Sequence, residues 1–98
     1  MPVRLVYLTT IKMDISVELT FSPLQDEFEE HIIRFIKKLR ASGLVVKENP
    51  LSTQVYGEYH KVMQLLTAEM EEALELIDNG LLYVKIVKSN RQDYVPFF

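Results

Sequence analysis

The segment NPLSTQVYGEY, residues 49–59, combines a turn, a strand and the start of a helix. Asn49-Pro50 predicts the turn, because proline fixes its own φ and moves the preceding residue out of the helical conformation. The side chains then alternate between two faces of a strand. These faces carry Thr53, Val55 and Gly57 on one side, and Gln54, Tyr56 and Glu58 on the other. A glycine inside a strand indicates close approach by another backbone, a helix or a ligand, and the packing of a helix is the simplest of these.

A second strand is predicted upstream, over residues 13–21, by the same alternation. Its apolar positions are Ile15, Val17, Leu19 and Phe21, and its polar positions are Ser16, Glu18 and Thr20. This pattern is typical of a sheet that is covered on one face only. Two shorter strands are predicted at residues 44–48 and 81–88, the first forming a hairpin with the strand that begins at Thr53.

Two amphipathic helices separate these strands. The first follows Pro23, where Asp26 and Glu29 have the spacing of a capping box, and it ends at Ser42-Gly43. The second extends over residues 59–78, with apolar residues recurring at intervals of three and four, and Asn79-Gly80 is expected to cap it.

The predicted order is therefore β-α-β-β-α-β, which with right-handed crossovers gives an α+β, ferredoxin-like sandwich. Its four-stranded antiparallel sheet carries both helices on one face, and its first and third strands are central neighbours. We expect one domain over residues 1–98, with its core at about residues 13–91, an N-terminal extension at 1–12 and a tail at 92–98. The predicted core residues are Ile15, Val17, Leu19, Phe28, Ile32, Ile36, Val55, Leu66, Met70 and Ile86.

Composition excludes several classes of function. The net charge is −3 with dispersed basic residues, so no electrostatic footprint for nucleic acid is present. No apolar run is long enough to span a membrane and no signal peptide is evident, which predicts a cytoplasmic protein without a membrane partner. The chain has no cysteine and only two histidines, so we expect neither a metal site nor a bound cofactor. No nucleophile elbow or phosphate-binding loop is present, and we expect no enzymatic activity.

The sheet face that the helices leave open is the predicted binding site. It combines hydroxyl, amide, phenol and carboxylate groups, which suit an amine-bearing heteroaromatic ring with a nearby positive charge. The residues that offer these groups are Ser16, Glu18, Thr20, Ser52, Thr53, Gln54, Tyr56 and Glu58. The predicted ligand-binding residues are Ser16, Glu18, Ser52, Thr53, Gln54, Tyr56, Gly57 and Glu58. An open sheet face also serves as an oligomer interface, and a pocket between subunits would combine both uses.

The chain resembles the small thiamine-binding family related to YkoF and its single-domain relatives. The resemblance covers about residues 13–91 and depends on two motifs, a strand ending in Ser22-Pro23-Leu24 and the Pro-Leu-Ser-Thr-x-x-x-Gly-Glu segment that begins at Pro50. The positions that match the family's motifs are Glu18, Ser52, Thr53, Gly57 and Glu58. The extension before Met13 and the aromatic tail after Arg91 lie outside the shared pattern.

This resemblance implies a ferredoxin-like fold, assembly into homodimers or homotetramers through sheets, and binding of thiamine or its hydroxymethylpyrimidine part without catalysis. The competing interpretation is a structural or regulatory module whose open face serves only for assembly. The aromatic tail is expected to pack on a surface rather than to stay in water.

Overall fold

A computed structural model describes residues 12–98 of the chain. The predicted N-terminal extension lies almost entirely outside these described residues.

Six elements follow one another in the predicted order. The strands are β1 (Asp14–Pro23), β2 (Val45–Glu48), β3 (Thr53–Glu58) and β4 (Gly80–Val87), and the helices are α1 (Phe28–Arg40) and α2 (Tyr59–Glu75). The strands form one antiparallel sheet in the order β2-β3-β1-β4. This is the predicted α+β, ferredoxin-like arrangement, with β1 and β3 in the centre.

The register of β1 against β3 fixes which side chains share a face. Ser16 lies opposite Tyr56, and Glu18 lies opposite Gln54. Because side chains alternate along a strand, these four residues lie on the face away from the helices, as predicted. The side chains of Ile15, Val17 and Leu19 lie on the other face and are buried in the core.

The core lies between the sheet and the two helices. Its buried members are Ile15, Val17, Leu19, Phe21, Phe35, Leu39, Val55, Val62, Leu66 and Ala73. The prediction was wrong for Phe28, which is 47% exposed at the first turn of α1, and for Ile86, which is 50% exposed. Of the other predicted core residues, Ile32 and Met70 are partly buried against the core, whereas Ile36 is partly buried outside it. The main helix contacts are with β1, β2 and β3, so β4 extends beyond the helices at the edge of the sheet and Ile86 remains accessible.

Two helix boundaries also differ from the prediction. The residue before α1 is Glu27, in a left-handed conformation with φ 59°, and no side chain caps this helix, so Asp26 and Glu29 do not form a capping box. Helix α2 ends at Glu75, so Asn79-Gly80 is not its cap, and Gly80 already belongs to β4.

Candidate functional site

The open face of the sheet is partly covered by the chain's own C-terminal segment. The Ser16 hydroxyl donates a 2.6 Å hydrogen bond to the carbonyl oxygen of Ser89 and accepts a 2.8 Å bond from the backbone amide of Arg91. Further along the segment, the carbonyl oxygen of Gln92 accepts a hydrogen bond from the Lys47 ammonium. We call residues 89–92 the crossing segment, because they extend from the end of β4 over β1 towards β2.

Two of the predicted ligand residues lie beneath the crossing segment. Ser16 is 7% exposed and Tyr56 is 9% exposed, although neither faces the helices. The Lys47 ammonium lies 5.7 Å from the centre of the Tyr56 ring, so a cation already occupies that side of the phenol. The Ser16 hydroxyl and one side of the Tyr56 ring are thus engaged within the chain.

A second group of predicted residues remains accessible on the open face. The Ser52 hydroxyl donates to a Glu18 carboxylate oxygen at 2.9 Å and accepts from the Gln54 amide at 2.8 Å. The exposed carboxylate of Glu18 retains further acceptor positions. These three residues form one polar cluster at the end of β3 nearest the β2–β3 turn.

Gly57 and Glu58 have structural roles at the other end of β3. A Cβ atom at Gly57 would lie 3.3 Å from Val62 Cγ2 and 3.5 Å from Leu44 Cδ2, so the glycine permits close packing of α2 on the sheet. The Glu58 carboxylate caps α2 by accepting from the amides of His60 and Lys61. These amide bonds, that of His60 first, hold the pKa of Glu58 below its ordinary value.

The β2–β3 turn is built by side chains that hydrogen-bond its backbone. The Asn49 side-chain oxygen accepts from the amides of Leu51 and Ser52 at 2.8 and 2.9 Å, the geometry of an Asx turn. From β1, the Thr20 hydroxyl donates to the Leu51 carbonyl oxygen at 3.2 Å. The turn is therefore fixed both by its own asparagine and by the neighbouring strand.

This fixed turn forms one wall of a cleft on the helix side of the sheet, which we call the turn cleft. Its volume is about 200 Å³. The residues that line it are Leu19, Thr20, Phe21, Ile32, Phe35, Ile36, Glu48, Asn49, Pro50, Leu51, Ser52 and Thr53. The walls from β1 and α1 are mainly aliphatic and aromatic, whereas the turn and the adjoining ends of β2 and β3 supply hydroxyl, amide and carboxylate groups.

Thr53 and Glu48 lie opposite each other at the end of the β2–β3 hairpin, both on the helix side of the sheet. Thr53 is 6% exposed. Both oxygens of Glu48 accept hydrogen bonds from the guanidinium of Arg40, at 2.6 and 2.7 Å. The Arg40 hydrogen bonds lower the pKa of Glu48, and the same contact raises the pKa of Arg40. Glu48 therefore stays ionised at neutral pH.

The eight residues proposed as ligand-binding from sequence thus do not form one pocket. Thr53 lines the turn cleft and Ser52 lies at its border, while Glu18 and Gln54 lie on the opposite face of the sheet. Glu48, Asn49 and the α1 wall were missed. The alternation along β2 was the available signal for Glu48, since it lies on the same side as Val46, which packs against the core.

His31 is partly buried and lies beside residues of both helices, and its buried Nδ1 atom has no hydrogen-bond partner among the described residues. Within residues 12–98, no three acidic or histidine side chains are grouped as metal ligands. No helix among the same residues is long and apolar enough to cross a membrane.

Comparison with known proteins identifies the fold but not the family. No family model and no curated protein matches the chain. Among solved structures, a Streptococcus pneumoniae protein is 25% identical with a TM-score of 0.74, covering 83% of this chain and 92% of its own. A Thermotoga maritima protein, provisionally named for thiamine biosynthesis or salvage, is 21% identical with a TM-score of 0.68, covering 74% and 81%. A Bacillus cereus domain of unknown function is 11% identical with a TM-score of 0.68, covering 88% and 85%.

These structural neighbours are similar to this chain over most of their length. At such identities the similarity establishes the fold, and the chemistry has to be argued from the site itself.

Proposed function

We propose that this protein binds thiamine or its hydroxymethylpyrimidine part in the turn cleft and catalyses no reaction on it. The observation that carries this proposal is the cleft itself, in which apolar walls face a turn rich in hydrogen-bonding groups. Small-molecule sites combine these two features, because apolar walls hold the ring and a few polar groups orient it. The sequence motifs shared with the thiamine-binding family and the name of the Thermotoga maritima neighbour support the same ligand class.

The size of the cleft favours one ring of such a ligand. Pockets for drug-sized molecules usually measure about 300–1,000 Å³, and the turn cleft measures about 200 Å³. The pyrimidine therefore fits within the cleft, against Ile32 and Phe35 of α1, with Thr53 as a hydrogen-bonding partner. The thiazolium of thiamine would extend towards the rim.

Calorimetric titration with thiamine and with hydroxymethylpyrimidine tests this proposal. Thr53→Val keeps the shape of the side chain and removes its hydroxyl, so binding should weaken by about 0.5–1.5 kcal/mol, the net value of one neutral hydrogen bond. Thr67→Val is the matched control, since Thr67 is exposed on α2 outside the cleft. Absence of binding by the wild-type protein would reject the ligand, and equal affinities for both variants and wild type would reject the location.

Glu18→Gln distinguishes the turn cleft from the open face. If thiamine lay on the open face, where the sequence predicts the site, this change would loosen it, because the Glu18 carboxylate would favour the cation. Glu18 contacts the cleft only through Ser52, so the cleft site predicts a smaller loss for Glu18→Gln than for Thr53→Val. The reverse order would move the ligand to the open face.

A second candidate function is an assembly module without a thiamine ligand. It is favoured by apolar side chains that the described chain leaves exposed, notably Tyr83 on β4 and Phe97 and Phe98, which are 95% and 94% exposed. Under either function we propose a homodimer or homotetramer. Light scattering should then give a mass two or four times 11.5 kDa, and removal of residues 94–98 should lower it if the tail reaches a neighbour. A monomer that binds thiamine would leave only the first function.

A further inference from the structure

The turn cleft carries one ionisable side chain among the described residues that line it, the carboxylate of Glu48. The rest of the lining is apolar, amide or hydroxyl. Any preference of the cleft for ligands of a particular charge therefore depends first on this group.

The partner of Glu48 lies outside the cleft. Arg40 is the last residue of α1, its side chain is 58% exposed, and it does not line the cleft, whereas the Glu48 side chain is 29% exposed. The ion pair thus has its negative end at the cleft and its positive end towards solvent. A charge in the cleft is nearer to the carboxylate than to the guanidinium, and water screens the more exposed group more strongly.

The geometry of the pair also fixes the carboxylate. Two parallel hydrogen bonds from one guanidinium hold both oxygens in a defined orientation, which a single bond from an ammonium would not do. Each oxygen keeps a further lone pair with which it can accept from a ligand.

We propose that Glu48, oriented by Arg40, makes the turn cleft selective for cationic aromatic ligands over neutral ligands of the same ring. This inference rests on the proposed function and assigns its specificity. In thiamine the positive thiazolium is attached to the pyrimidine, so a pyrimidine within the cleft brings the charge to the rim where Glu48 lies. Hydroxymethylpyrimidine lacks this charge, so at neutral pH it gains no ion-pair attraction from the carboxylate beyond any hydrogen bond that both ligands share.

The test is calorimetric titration of wild type, Glu48→Gln and Glu71→Gln with thiamine and with hydroxymethylpyrimidine at two salt concentrations. Glu71 is exposed on α2 outside the cleft, so its variant changes net charge equally without touching the site. For Glu48→Gln, the Kd of thiamine should rise roughly threefold to fivefold, as expected for a partly exposed charge pair. The Kd of hydroxymethylpyrimidine should stay within about twofold, and the salt dependence of thiamine binding should decrease.

Two outcomes would overturn the inference separately from the proposed function. If both ligands bind wild type and Glu48→Gln changes neither Kd, or changes both equally, the carboxylate does not select for charge although the cleft binds the ring. If Glu71→Gln has the same effect as Glu48→Gln, the preference comes from net charge and not from the site. Failure of wild type to bind either ligand would reject the proposed function and this inference with it.

Discussion

The hydroxyl of Ser16 in β1 and the carbonyl oxygen of Ser89 beyond β4 are joined by a hydrogen bond of 2.6 Å. Ser16→Ala removes this bond and the one from the Arg91 amide, so the crossing segment should leave the sheet more often. Unfolding free energy should fall by about 0.5–1.5 kcal/mol, and hydrogen exchange at residues 89–92 should accelerate.

Ser22→Ala provides the control for this change, because Ser22 lies on the same strand and the same face but outside the crossing segment. An equal loss of protection in both variants would mean that the segment is not held by Ser16.

Close packing of α2 on β3 depends on the missing side chain of Gly57. Gly57→Ala should destabilise the protein by about 1–3 kcal/mol, because the new methyl group would crowd Val62 and because Gly57 has φ 158°, which residues with a side chain rarely adopt. Urea denaturation measures the loss. Combining Gly57→Ala with Val62→Ala should cost less than the sum of the two single changes, since the second creates room for the first. Strict additivity would show that the two sites do not interact.

Leu39 and Ile86 are both aliphatic but differ in burial, because β4 extends beyond the helices. Leu39 is fully buried beneath the sheet, so Leu39→Ala should cost about 2–5 kcal/mol. Ile86→Ala should cost about 1 kcal/mol or less, because half of the Ile86 side chain is already in water. Thermal denaturation of the two variants provides the comparison, and a larger loss for Ile86 would place the helices over β4.

The cap on α2 makes stability dependent on pH. Since the folded-state pKa of Glu58 lies below its ordinary value, its contribution is complete above the unfolded pKa of about 4.3 and is lost as pH falls through the folded pKa. Glu58→Gln should therefore lower the denaturation midpoint at pH 7 and bring the variant closer to wild type in acid.

Glu75→Gln is the control for that experiment. Glu75 is exposed at the C-terminal end of α2, where a carboxylate has no free backbone amides of the helix to accept from. If the denaturation midpoints of wild type and Glu58→Gln differed by the same amount at all pH values, the charge of the carboxylate would not be what caps the helix.

The fold could be predicted because hydrophobic periodicity determines both the type of each element and the face it buries. Alternation in β1 separated Leu19 from Glu18, and the pairing of β1 with β3 then placed Glu18 beside Gln54. Alternation also placed Thr53 and Tyr56 on opposite faces. A single pocket containing both was therefore in conflict with the pattern, and the structure assigns Thr53 to the cleft and Tyr56 to the covered face.

The remaining features depend on contacts that no local pattern contains. The crossing segment has no regular secondary structure. Ser16 can hydrogen-bond its backbone only because β1 lies beside the end of β4. The turn cleft requires α1 to stand away from the β2–β3 turn, a distance set by packing rather than by spacing along the chain. The carboxylate of Glu58 could bind a ligand, but its position directly before α2 makes it a helix cap.

The crossing segment bonds Ser16 to backbone groups 73 and 75 residues away, after a sheet in which β1 already pairs with both neighbours. Because the segment continues from β4, it reaches Ser16 only once β4 lies beside β1, and we expect its bonds to form late in folding. The segment should therefore affect the unfolding rate rather than the folding rate. Loosening it should speed unfolding while refolding keeps its rate, so the lifetime of the folded protein could be changed without changing how fast it folds.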